Sequence, residues 1–226
     1  MLGGVVAVDV RGGGGKTRWT HPGWSTADMA ADVYAVVTQL GLRRPAIVGC
    51  SMGGTIALQY ALDYPADISR LVVLTSFASL PAEMAQTVAG QLAFIQSHTL
   101  REIAENRVGA AFTAGADQGV RAWMVDMIAG GDKQGYENEA QPTLHFDVHS
   151  RLSEIAVPTT VIHGGKDATV PVARAEDLAK GIRGATLHVL PGEGHFANVP
   201  GPGKGRPAPR RRARDPAGSC PEAVRA

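Results

Sequence analysis

VGCSMGGTIAL occupies residues 48–58. An apolar run stops at Gly49, a small polar residue stands among glycines, and an apolar pattern of helical spacing starts near Ile56. A strand that turns sharply into a helix pushes its corner residue, here Ser51, into the open and holds the backbone there in an unusual conformation. The flanking positions must then be small, and Gly49 and Gly53 meet that condition. The start of the helix adds free N–H groups and a positive dipole end beside the corner side chain. The stretch fits G-x-S-x-G and marks Ser51 as a candidate nucleophile. The same letters also suit an ordinary glycine-rich turn, so the rest of the chain has to discriminate.

Outward from that corner, strand and helix signals alternate. Residues 4–10 (GVVAVDV) read as a buried strand broken by the glycines at 12–15. Met29, Val33, Val36, Val37 and Leu40 recur at helical spacing, after a start at Ser25 and before a stop at Gly41. Residues 46–49 and 71–74 read as strands on either side of a helix over 56–62. Strand, helix, strand, helix, strand implies a parallel sheet with crossover helices. The alternation lapses over residues 79–150, where helical stretches at 80–95, 100–112 and 119–128 predict an inserted helical cap. It resumes with a strand at 159–162, a helix near 172–182 and a strand at 186–190. The expected fold class is α/β, a mostly parallel sheet with flanking helices and a helical cap inserted between strands. Residues 1–78 and 151–200 form the core of that reading.

A serine hydroxyl needs a base, and the base needs an orienting acid. Asp167 follows the strand at 159–162 and His195 follows the strand at 186–190. Both therefore fall where the carboxyl ends of parallel strands gather, which is where open α/β sheets build their sites. The order Ser51, Asp167, His195 is the one that a G-x-S-x-G elbow predicts. Other histidines fit less well: His21 precedes the serine, His98, His145 and His149 fall in the helical region, His163 suits a structural role, and His188 lies within a strand. Asp177 is mid-helix. Asp167 also suits a simple turn, since turns favour Asp.

With these residues in view, the chain resembles the α/β-hydrolase fold family. Four pieces carry the likeness: Asp9-Val10-Arg11-Gly12-x-Gly14, the elbow at 49–53, Gly165-x-Asp167-x-x-Val170-Pro171, and Gly194-His195-Phe196. Within the family it is similar to small-substrate esterases and 3-oxoadipate enol-lactonases, and the likeness extends to cofactor-free haloperoxidases. The resemblance implies a serine hydrolase of ester or lactone bonds with Ser51, Asp167 and His195 catalytic, Met52 N–H in the oxyanion hole, a small-molecule substrate, and no cofactor or metal. Two alternatives stay open, a haloperoxidase-type perhydrolase and an inactive relative. Family members usually begin with strands before the Asp9-type strand, one of which leads into a loop that supplies a second oxyanion donor. They also carry a helix after the histidine. Neither has a counterpart here, so the expectation is an incomplete or frame-disturbed copy. The cap residues Phe77, Phe94, Phe112, Trp123, Met124 and Met127 either line the substrate pocket or pack the cap's own core.

Charge is unevenly placed. Net charge is +1, but residues 201–226 alone hold seven Lys/Arg and two Asp/Glu, which leaves the first 200 residues at −4. A mildly acidic body gives no sign of a nucleic-acid partner. The tail at 201–226 is mostly Gly, Pro, Arg and Ala with a single large aliphatic, Val224, and is expected to be a disordered basic tail. A basic arm for an anionic partner is the alternative reading of Arg210, Arg211 and Arg212. No apolar stretch is long enough for a membrane span. No signal peptide is visible, and two cysteines suit a cytoplasmic setting. Oligomeric state is not indicated.

Overall fold

The computed structural model describes residues 4–12 and 23–199, apart from the side chains of residues 84 and 85. Four strands, β1 (Ala46–Cys50), β2 (Arg70–Leu74), β3 (Thr159–Gly164) and β4 (Thr186–Leu190), form one sheet in the order β1-β2-β3-β4. Every pairing is parallel, with Val48 beside Val72, Val73 beside Val161, and Ile162 beside His188. Parallel neighbours require crossovers. Helix α2 (Met52–Asp63) supplies the first and α7 (Val172–Gly181) the last, while the β2-to-β3 crossover carries a long helical insertion.

Local chemistry sets the helix limits. Helix α1 (Thr26–Gln39) begins with a capping box: Asp28 N–H donates to Ser25 Oγ, and Ser25 N–H donates to the Asp28 carboxylate. That hydrogen-bonded pairing with Ser25 holds the Asp28 carboxyl below its ordinary value. Gly41, at φ 62°, reverses the chain after α1. The α1–α2 contact is aromatic: Tyr34 stacks on Tyr64 at 4.1 Å, with Tyr60 tilted against both. Leu58, Tyr60, Ile68, Leu71, Val73 and Leu178 are fully buried in one core shared by the sheet, α1, α2 and α7. Each such aliphatic contributes roughly 2 kcal/mol relative to an exposed position.

The insertion consists of α3 (Ala85–Ser97), α4 (Leu100–Ala111), α5 (Gln118–Ala129) and α6 (Lys133–Leu144). It has a small apolar cluster of its own, Ile95, Leu100, Ile103 and Ala140. Thr99 and Glu102 form a second capping box at the start of α4, and Asp117 and Asp132 cap α5 and α6. Helix α6 was not expected, because its sequence KQGYENEAQPTL is polar and contains Pro142. The proline is tolerated because it lies in the last turn, where its missing N–H removes one late bond and its ring kinks little that follows.

Residues 4–10 correct the sequence reading. They form no strand, and Val5, Val6 and Val8 are exposed, Val5 at 94%. A strand is stable only when a neighbour takes up its N–H and C=O groups, and none among the described residues lies alongside. The segment is held at its end instead: Arg11 pairs with Asp32 of α1 and lies over the Trp24 ring at 2.8 Å. On β1, Val48 is 64% exposed. The tail at 201–226 and His21 lie outside the described residues.

Candidate active site

The elbow forms as its composition requires, with one change in which glycine matters. Ser51 has φ 54° and ψ −120°, between the end of β1 and the first turn of α2. A non-glycine residue in that region costs of order 1–3 kcal/mol and persists only where neighbours impose it. They do: Ser51 N–H donates to Leu74 O at 2.9 Å, and Ser76 Oγ–H donates to the Ser51 carbonyl at 2.8 Å. A side-chain carbon at Gly49 would lie 1.9 Å from the Gly53 carbonyl oxygen, and one at Gly54 would lie 2.5 Å from Ser76 Cβ. At Gly53 the same carbon would meet open space. The second crowded position is therefore Gly54, not the motif glycine Gly53. Gly53 contributes the backbone that presses on Gly49.

The three residues expected from sequence converge on one point. His195 Nε2 lies 2.8 Å from Ser51 Oγ, and His195 Nδ1 lies 2.8 Å from Asp167 Oδ2. Because an ionised carboxylate only accepts, Nδ1 carries the proton and Nε2 is left to accept from the serine hydroxyl. The other Asp167 oxygen accepts from Thr169 N–H at 2.7 Å and Val170 N–H at 2.9 Å. Burial acts to raise the Asp167 carboxyl. The hydrogen bond and charge of His195, with the two amides, outweigh it and hold the group below its ordinary value. The carboxylate side chain is fully buried and His195 is 3% exposed, so bulk water does not compete for either.

His163 supports this arrangement from behind. It is fully buried at the end of β3. Its Nε2–H donates to Val170 O at 3.0 Å and lies 3.7 Å from Asp167 Oδ2. The loops carrying Asp167 and His195 can approach closely because β3 ends in a glycine. A side-chain carbon at Gly164 would fall 2.1 Å from Gly194 O. His195 N–H is in turn donated to Ala111 O at 2.9 Å, at the end of α4, and Phe112 meets Phe196 at 5.4 Å. His188 is exposed on β4, and Asp177 pairs with Arg174 on α7, so neither enters the site.

Met52 opens α2, and its N–H has no partner among the described residues. It is one of the donors that a helix start leaves unpaired. Cys50, a free thiol raised by burial, bonds Thr75 Oγ1 at 3.3 Å behind the elbow. Above Ser51 lies a pocket whose walls include Met52, Phe77, Arg107, Tyr136 and Glu139. Of the six aromatic and methionine residues read as either lining the pocket or packing the cap, Phe77 is a pocket wall residue and the others are not. Phe94 packs against the insertion's own cluster, Met124 is buried, Phe112 faces Phe196, and Trp123 and Met127 are exposed. Arg107, Tyr136 and Glu139 were missed in sequence. Two of them lie on the unexpected helix α6, and no motif or spacing marks any of them. Among the described residues no helix is long and apolar enough to cross a membrane.

The family model described as "alpha/beta hydrolase fold" matches residues 4–202. A protein of Variovorax paradoxus named "Putative carbamate hydrolase RutD" is 32% identical over 200 residues, covering 86% of this chain and 75% of its own. The 3-oxoadipate enol-lactonase 2 of Acinetobacter baylyi is 27% identical over 202 residues, covering 88% and 74%. The solved structure of a hydrolase from Pseudomonas aeruginosa superposes with TM-score 0.75 at 27% identity, covering 84% of this chain and 72% of that one. With a parallel sheet, a serine elbow and a match across nearly all described residues, the chain belongs to the α/β-hydrolase fold family.

Proposed function

We propose that this hydrolase cleaves carboxylic ester or lactone bonds of a small substrate through an acyl-enzyme formed on Ser51. The observation that carries the reading is the continuous Ser51–His195–Asp167 hydrogen-bond chain, with both links at 2.8 Å. In the first step His195 Nε2 takes the hydroxyl proton as Ser51 Oγ attacks the carbonyl carbon. Asp167 holds the ring with Nδ1 protonated and stabilises the imidazolium that forms. The carbonyl oxygen gains negative charge as its π bond opens. The Met52 N–H, at the positive end of α2, is the donor suited to receive it. Collapse of the tetrahedral adduct expels the alcohol, which takes the proton from His195. A water molecule, deprotonated by the same nitrogen, then attacks the acyl-enzyme and releases the acid.

In this reading residues 79–150 act as a cap over residues 1–78 and 151–200. The support is that α3, α4 and α6 all contribute walls to the pocket above Ser51. The names of the relatives, an enol-lactonase and a carbamate hydrolase, fit attack on an activated acyl carbon. A cytoplasmic setting suits the free Cys50 thiol beside the nucleophile. Labelling with a fluorophosphonate probe tests the assignment directly. Wild-type protein should label and Ser51→Ala should not, with equal melting temperatures. Equal labelling of both would refute it.

A further inference from the structure

Among the described residues, the walls of the pocket above Ser51 include a side-chain oxygen that the fold leaves unsatisfied. Glu139, on α6, is a pocket wall residue together with Ser51 and Met52. Its Oε1 is shielded from solvent and accepts no hydrogen bond among the described residues. Every carboxyl nearby that serves the fold is paired: Asp132 caps α6, and Glu137 pairs with Lys133. A buried acceptor without a donor is destabilising, so the protein carries a cost here that a ligand can reduce.

The surroundings narrow what that ligand offers. Burial pushes the Glu139 carboxyl up to about 7. The other ionisable groups of the pocket walls are Arg107 on α4 and Tyr136 on α6. These two lie against each other, with the Arg107 guanidinium 5.7 Å from the Tyr136 ring centroid. From α3 come the neutral Thr87 and Gln91, and around them Phe77, Leu80 and Val88 are apolar. The cavity walls therefore include Ser51 and, from α6, a carboxyl one of whose oxygens lacks a donor.

We propose that Glu139 is a specificity-determining residue that selects acyl groups bearing a hydrogen-bond donor, N–H or O–H, over hydrocarbon chains of the same length. The inference rests on the pocket being the acyl site of the proposed hydrolase. Both protonation states of the carboxyl retain an acceptor lone pair, so a donor satisfies it in either. The bond is stronger to the ionised form. Preference for the donor-bearing ligand therefore rises as pH passes upward through about 7, and falls below it.

The test separates recognition from turnover by using Ser51→Ala protein, in which the pocket remains and acyl transfer does not. Calorimetric binding is measured for methyl esters of N-acetyl-β-alanine, N-acetyl-4-aminobutyrate and 3-hydroxybutyrate, each against a straight-chain methyl ester of matched length. At least one donor-bearing ester should bind roughly tenfold tighter than its partner. Adding Glu139→Leu should abolish the difference. Adding Glu139→Gln should keep part of it, through the carboxamide oxygen, but remove its dependence on pH. No preference in any of the three pairs, or a preference that survives Glu139→Leu, would overturn the proposal. Failure of Ser51 to label with fluorophosphonate would instead refute the nucleophile, and the binding comparison would still report on Glu139.

Discussion

Replacing Gly49 by alanine, with Gly53→Ala as its partner, tests how the elbow holds its serine. A methyl carbon at Gly49 would be 1.9 Å from Gly53 O, 2.4 Å from Gly53 C and 2.7 Å from Gly54 N. Side-chain carbons do not approach backbone closer than 3.0 Å, so the first turn of α2 must withdraw by more than 1 Å. It cannot do so freely, because Ser51 N–H is tied to Leu74 O and the Ser51 carbonyl to Ser76 Oγ. Withdrawal stretches the 2.8 Å link from Ser51 Oγ to His195 beyond hydrogen-bond reach. A misplacement of this size costs about 100-fold in rate, and overpacking costs about 1–3 kcal/mol of stability. At Gly53 an added carbon meets nothing, so that variant should keep its rate within roughly threefold and gain up to about 1 kcal/mol from helix propensity. Steady-state hydrolysis of p-nitrophenyl acetate, the rate of fluorophosphonate labelling and thermal melting read all three effects. Wild-type rate and stability in Gly49→Ala, or equal damage from both substitutions, would refute the reasoning.

Other expectations follow from the same geometry. Asp167→Asn should reduce kcat roughly 10³–10⁴-fold with KM little changed, because an amide at that position no longer fixes the Nδ1–H tautomer; stopped-flow acylation rates measure it. Gly194→Ala places a carbon 2.5 Å from Ala111 O and should lower kcat at least about tenfold by displacing His195, a loss visible in the same ester assay. Glu139 is held well above its unfolded value of 4.5, so its protonated form is favoured in the folded state. The wild type should therefore lose stability as pH rises from 4.5 to about 7 and level off above, by up to about 3 kcal/mol. Glu139→Gln should be flat across that window in urea titrations. Asp167 works in the opposite sense: its lowered value contributes stability above about 3.8 that is lost as pH falls further, and Asp167→Asn should lack that acid-side decline.

The strands β1 to β4 and the convergence of Ser51, Asp167 and His195 were legible because each rests on local chemistry. Short apolar runs rich in β-branched residues announced β1 to β4, and Asp167 and His195 stand just beyond strand ends, where open parallel sheets gather their loops. Residues 4–10 misled because strand propensity describes a pleated surface that accepts a neighbour, and the neighbour is not encoded in the segment. Helix α6 was hidden by its proline and its polar face, since its support comes from Asp132 capping and contacts made by Ala140 rather than from apolar periodicity. Gly53 was given a steric role that belongs to Gly54. The G-x-S-x-G pattern records which positions are small, not which atoms each would strike. Glu139 carried no signal at all, because an unpaired carboxyl is a property of its surroundings.

The bond from His195 N–H to Ala111 O, together with the Phe112–Phe196 contact, joins His195 to the end of α4. On the proposed mechanism, in which His195 is the general base, these ties make it a latch. Any swing of the helical insertion that lifted α4 from the sheet would draw the imidazole away from Ser51, so a fully opened molecule would be chemically silent. On that mechanism, substrate entry and product exit would have to leave the α4 terminus in place. The enzyme would stay armed throughout its cycle only if its gate turns on that pivot.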